Sequence, residues 1–81
     1  MINAYILINM KPGNSDKAIA SMRKLKNVTK VSVVAGEYDI VIRAHVPSLD
    51  KLLKVTDEIQ MIDGVGKTPT QVIEKEITLW R

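Results

Sequence analysis

Val31-Ser32-Val33-Val34-Ala35-Gly36-Glu37-Tyr38-Asp39-Ile40-Val41-Ile42-Arg43-Ala44-His45-Val46 reads as two strands and the turn that joins them. The flanking runs Val28–Ala35 and Ile40–Val46 are alternating and rich in β-branched residues, as half-buried strands require. Gly36 accepts positive φ at the first central position of a type II′ turn, so Gly36-Glu37 is expected to close the hairpin as a two-residue loop. The same turn gathers backbone donors, the carboxylates of Glu37 and Asp39, and the phenol of Tyr38. Donors for an anion beside carboxylates for an ammonium suit a small zwitterion better than they suit catalysis.

Working outward, Asn3–Met10 alternates, with Ala4, Ile6, Ile8 and Met10 on one face and Tyr5, Leu7 and Asn9 on the other. That is a strand. Lys11-Pro12-Gly13-Asn14 breaks it, and Ser15 or Asp16 stands where a helix cap belongs. Ala18, Ile19, Met22 and Leu25 then recur at helical spacing over about three turns, to an end at Asn27 or Val28. Beyond the hairpin, Pro47-Ser48 stops the strand and caps a second helix with the inner stripe Leu52, Val55, Ile59 and Ile62. Asp63-Gly64 supplies a left-handed stop. Val65 to about Leu79 reads as extended chain, and Pro69, which cannot donate to a ladder, belongs near a strand start or on a sheet edge.

The order is β-α-β-β-α-β, an α+β ferredoxin-like arrangement with a four-stranded antiparallel sheet and two helices on one face. A faint internal repeat agrees with it: Asp16-Lys17 and Asp50-Lys51 both open helices, 34 residues apart. No linker or low-complexity segment interrupts the chain, so residues 1–81 read as a single domain.

At 81 residues the core is near the lower limit of self-sufficiency. There is no cysteine and one histidine, which removes disulfides and makes a structural zinc site a poor fit. Twelve basic and nine acidic residues leave a net charge of +3, well short of a nucleic-acid-binding tail. No apolar stretch reaches the length of a membrane span, and no basic-then-apolar signal pattern opens the chain. The expectation is a soluble cytoplasmic domain without a membrane partner.

Two helices cover one face of a four-stranded sheet, and an opposite face in water should be polar at every second position. Here Tyr5 and Leu7 oppose Ile6 and Ile8, Val34 opposes Val31 and Val33, and Val41 opposes Ile40 and Ile42; only Arg43 and His45 make that second face polar. Soluble monomers rarely expose such a patch, and a second copy packed sheet to sheet is the simplest cover. A homo-oligomer is expected.

Catalytic signals are weak. His45 stands on a strand beside Arg43 with no cysteine near it, Ser15, Ser32 and Ser48 lie in capping or strand positions, and Asp57-Glu58 and Glu74/Glu76 read as exposed faces. No phosphate-cradling glycine motif is present; Gly64-Val65-Gly66-Lys67 is too short. RNA-recognition domains share this element order but stack bases on central-strand aromatics, and this chain has no phenylalanine. No helix-turn-helix segment is visible, so direct DNA binding is not expected. What remains is a binding module: the turn Gly36, Glu37, Tyr38 and Asp39, with Thr68 and Thr70 adding hydroxyls from the start of the last strand. A plain hairpin followed by a β-favouring threonine pair reads the same residues without a ligand.

The chain resembles the effector-binding domain of the Lrp/AsnC (feast/famine) transcription regulators, also called the regulation-of-amino-acid-metabolism domain. The resemblance rests on Ala4-Tyr5-Ile6-Leu7-Ile8, on Val34-Ala35-Gly36-Glu37-Tyr38-Asp39, and on Ile62-Asp63-Gly64-Val65 followed by Thr68 and Thr70. It implies a dimeric α/β barrel assembling into a ring of four or five dimers, an octamer or a decamer. It also implies an amino-acid effector bound between neighbouring dimers by the hairpin turn and the Thr-x-Thr strand, here Gly36, Glu37, Tyr38, Asp39, Thr68 and Thr70. Family regulators carry an N-terminal DNA-binding half, and this chain starts at the first strand, so the resemblance implies a stand-alone sensor or a modulator of full-length relatives. No cofactor, metal or catalytic residue is implied. Three other readings stay open: an ACT-like regulatory domain with its ligand at Lys11-Pro12-Gly13, a small dimeric oxygenase or isomerase built around His45 and Arg43, and a structural adaptor for a full-length regulator.

Overall fold

A computed structural model describes residues 1–80, and the elements run in the expected order: β1 (Ile2–Ile8), α1 (Ser15–Met22), β2 (Val28–Val33), β3 (Ile40–Val46), α2 (Leu49–Gln60) and β4 (Thr70–Val72). The four strands pair antiparallel in the order β2-β3-β1-β4. The sheet is open, with β2 and β4 as its edges, and not the barrel that the resemblance implies.

Alternation decides what is buried. Ala4, Ile6 and Ile8 of β1 and Ile40, Ile42, Ala44 and Val46 of β3 face the helices, and Ala18, Met22, Leu52, Val55 and Ile59 pack down onto them. No polar or charged residue is buried among the described residues, so the core draws on apolar burial alone. The smallest principal extent, 19 Å, is the thickness of one sheet and one helix layer. No helix among the described residues is long and apolar enough to cross a membrane.

Helix α2 begins as its sequence demands, with the Ser48 hydroxyl oxygen accepting from the Lys51 N–H at 3.3 Å. Helix α1 differs from expectation. It spans eight residues instead of about three turns, and its N-cap is Asn14, not Ser15 or Asp16, with no side-chain cap bond. Leu25 still packs against the core, but from an irregular turn that Asn27 ends at φ +71. Gly64 holds φ +87 after α2, and its backbone lies so close to Asn14 that a Cβ would come within 2.6 Å of the Asn14 Cβ. The two helix-flanking turns are therefore packed on one another.

Two strand boundaries also shift. The hairpin does not close in a two-residue type II′ loop. The last paired residues are Val33 and Ile40, the Val34 N–H donates to the Asp39 carbonyl at 2.9 Å, and Ala35–Tyr38 form a wider tip. The cause lies on β1. The Asp39 N–H donates to the Ile8 carbonyl at 3.0 Å and the Asp39 carboxylate accepts from the Met10 N–H at 2.7 Å, which ties Asp39 to the neighbouring strand and leaves the turn to span the rest. Gly36 sits at φ +150, far from the value near +60° that a type II′ turn needs, yet in a region that still favours glycine. Strand β4 is three residues long, not the extended run from Val65 to Leu79. Pro69 immediately precedes this edge strand, as its missing donor requires, and its carbonyl accepts from the Leu7 N–H at 2.9 Å.

Candidate functional site

The C-terminal end of β1 is the axis of the candidate site. On its β3 side the Asp39 pair of hydrogen bonds draws the hairpin tip against Ile8 and Met10. On its β4 side the Gly66 N–H donates to the Asn9 carbonyl at 2.8 Å and Pro69 bonds to Leu7, so Thr68 and Thr70 flank the same strand end. Two strand spacings separate the halves, on the order of 10 Å. Four cavities of about 220 to 380 Å³ among the described residues are lined by other residues.

Each expected residue has a defined state. Gly36, Glu37 and Asp39 are exposed, and Tyr38, Thr68 and Thr70 are half-buried. No hydrogen bond among the described residues uses the amides of Ala35, Gly36, Glu37 or Tyr38, so the tip presents unspent donors. Asp39 commits one carboxylate oxygen to Met10 and keeps the other, while Glu37 is unengaged among the described residues. The Thr68 hydroxyl oxygen accepts from Gln60 Nε2 at 2.9 Å, and the Thr70 hydroxyl donates to the Thr68 carbonyl at 3.3 Å. Donors and carboxylates on one flank and hydroxyls on the other can hold a ligand with both charges, provided a second surface closes over them.

The alternatives look different. His45 Nδ1 lies 2.7 Å from Asn3 Oδ1 on the opposed strand, which occupies the only histidine in a structural pairing. Gly13, at φ +86, is the turn residue between β1 and α1 and has nothing within 4 Å of where a Cβ would stand. No group of three metal-ligating side chains forms among the described residues.

One constellation escaped the sequence reading. Arg43 forms a two-pronged ion pair with Glu76, Nη1 to Oε2 at 3.0 Å and Nη2 to Oε1 at 2.9 Å, and its Nη1 also donates to the Tyr5 hydroxyl at 3.2 Å. The guanidinium lies 5.6 Å from the Tyr5 ring centre. The Arg43 hydrogen bonds hold the Glu76 carboxyl below its ordinary range, and Glu76 in turn raises the guanidinium. Glu76 reads in sequence as half of an exposed pair with Glu74, and nothing in its spacing predicts that the chain after β4 returns across the sheet. The opposition of Tyr5 and Arg43 becomes visible only once the β1·β3 register is known.

A four-stranded antiparallel sheet with two helices on one face, in the order β-α-β-β-α-β, defines a ferredoxin-like domain. The chain belongs to the Lrp/AsnC ligand-binding-domain family, whose model matches residues 3–78. It is 28% identical over 74 residues to the HTH-type transcriptional regulator FL11 of Pyrococcus furiosus, a match covering 91% of this chain and 49% of that protein. The chain thus spans about half the length of the curated relatives it matches. Among solved structures, TTHA0845 from Thermus thermophilus superposes with a TM-score of 0.90 at 26% identity, covering 98% of this chain and all of that one. The feast or famine regulatory protein Rv3291c of M. tuberculosis, complexed with L-methionine, shares the fold with a TM-score of 0.84 at 24% identity, over 100% of this chain and 55% of its own.

Proposed function

We propose that this chain is a homo-oligomeric amino-acid sensor, regulatory and not catalytic, that joins or modulates Lrp/AsnC regulators. In this reading Glu37 and the free oxygen of Asp39 take the ligand ammonium, and the tip amides with the Thr68 and Thr70 hydroxyls take its carboxylate. The observation that carries it is the unspent donor set at Ala35–Tyr38 beside two exposed carboxylates, in a domain of this family. The L-methionine bound by Rv3291c supports the ligand class. Because the two flanks stand apart in one chain, the closing surface comes from another copy, and ligand binding is coupled to assembly. Copies assemble first into dimers and then into rings of four or five dimers.

The test is thermal denaturation across the common amino acids. A ligand at a hundred times its dissociation constant adds about 2.7 kcal/mol to stability, which one melting curve resolves. A rise with one or a few amino acids supports the reading. Superimposable curves for all of them remove it.

A further inference from the structure

Gln60 ends α2, Thr68 lies just ahead of β4, and the stretch between them is pinned at several points. Gly64 turns the chain at φ +87, and the Val65 N–H donates to the Ile62 carbonyl at 3.2 Å. The Gly66 N–H donates to the Asn9 carbonyl at 2.8 Å, and the Pro69 carbonyl accepts from the Leu7 N–H at 2.9 Å. This path brings Gln60 Nε2 to 2.9 Å from the Thr68 hydroxyl oxygen. A side-chain amide nitrogen only donates, so the Thr68 oxygen accepts and its own proton is left to give. Among the described residues that proton has no acceptor. Thr70 stands the other way: its hydroxyl donates to the Thr68 carbonyl at 3.3 Å, and it serves an anion only by leaving that bond.

From this we infer that Gln60 is a positioning residue for ligand recognition, which presets the Thr68 hydroxyl as a donor to the ligand carboxylate. The inference rests on the amino-acid-sensor reading and adds to it a residue that touches no ligand itself. A free threonine hydroxyl serves an ammonium as readily as a carboxylate. With Gln60 on its oxygen, the proton is the group Thr68 has left to offer, while Glu37 and Asp39 remain for the ammonium. The two ends of a zwitterion are thereby assigned to opposite flanks of the site. Charge-assisted hydrogen bonds are roughly twice as strong as neutral ones, so the direction of this donor is felt in affinity. It is felt little in the fold, because Gln60 is exposed and outside the buried core.

The experiment is calorimetric titration of the full chain with each of the common amino acids, repeated on Gln60→Lys, Gln60→Glu and Gln60→Met with the one that binds tightest. In Gln60→Lys the ammonium again donates to the Thr68 oxygen. In Gln60→Glu the carboxylate accepts, and takes the Thr68 proton; Gln60→Met offers neither group. Gln60→Lys should bind within about twofold of wild type and Gln60→Glu about tenfold more weakly, with Gln60→Met between them, the worth of one hydrogen bond to a charged group. The order should persist in about 0.5 M sodium chloride, where the screening length of about 4 Å suppresses the added surface charge. Equal affinity in all variants, equal loss in Gln60→Glu and Gln60→Lys, or an order that vanishes in salt would overturn the inference and leave the sensor reading in place. Binding of no amino acid by the wild-type chain would remove both. If Gln60→Glu does not fold, the other two variants decide: Gln60→Met must bind more weakly than Gln60→Lys, and equal binding would overturn the inference.

Discussion

Asp39 links the fold to the proposed ligand site. Its backbone extends the β1·β3 ladder and one carboxylate oxygen accepts the Met10 N–H, so the hairpin tip is fixed while a negative charge remains exposed. Asp39→Asn keeps an acceptor for Met10 and removes only the charge. The expected outcome is a normal melting temperature without ligand and an amino-acid affinity weakened about tenfold or more, the usual worth of a hydrogen bond to a charged group. Calorimetry on the variant checks it, and unchanged affinity would take Asp39 out of the site. Residue chemistry was legible in sequence at this position, because glycine, carboxylates and phenol are clustered within four positions. The form of the turn was not. Its width is set by hydrogen bonds to Ile8 and Met10, about thirty residues away, and local propensity carries no trace of them.

Among the elements, legibility followed the strength of the local signal. Helix α2 announces itself by proline, serine cap and a clean apolar stripe, and its bounds came out close to those read from the sequence. Helix α1 stops after Met22 although Leu25 continues the spacing, because Asn27 at positive φ turns the chain into β2 and Leu25 reaches the core from that turn. The caps differ in the same way. Ser48→Ala should destabilise the fold by about 1 kcal/mol, since it removes an acceptor for the Lys51 N–H. Ser15→Ala should change stability by no more than a few tenths of a kcal/mol, because Ser15 lies inside α1 and makes no cap bond. Urea denaturation of both variants checks the contrast, and equal losses would contradict it. Strand β4 was overestimated for a related reason: the chain beyond Val72 is extended enough to read as strand, but among the described residues there only Ile73 still bonds to the backbone of β1, through the Asn3 carbonyl.

The whole molecule is a two-layer slab with one face unfinished. Leu7 and Val41 on that face are half-buried and Tyr5 is 37% exposed, with no helix over them. The sequence foreshadowed this face through apolar residues on both sides of β1, a signal that survives any small error in strand ends. It could not show the Arg43–Glu76 pair laid across the same surface, since that contact depends on the path of the chain after β4. A charge placed in the middle of the face tests what covers it. Leu7→Lys should leave the far-ultraviolet circular dichroism intact, because Leu7 is not part of the buried core. It should also lower the assembled mass. Retention of the wild-type mass would move the contact between copies to another surface.

If a second copy completes both the sheet and the receptor, the purified chain cannot stay alone in solution, and its molar mass by light scattering at micromolar concentration decides the matter. The expected value is an even multiple of 9.1 kDa. A folded species of 9.1 kDa, with the circular dichroism of this α+β structure, would contradict it.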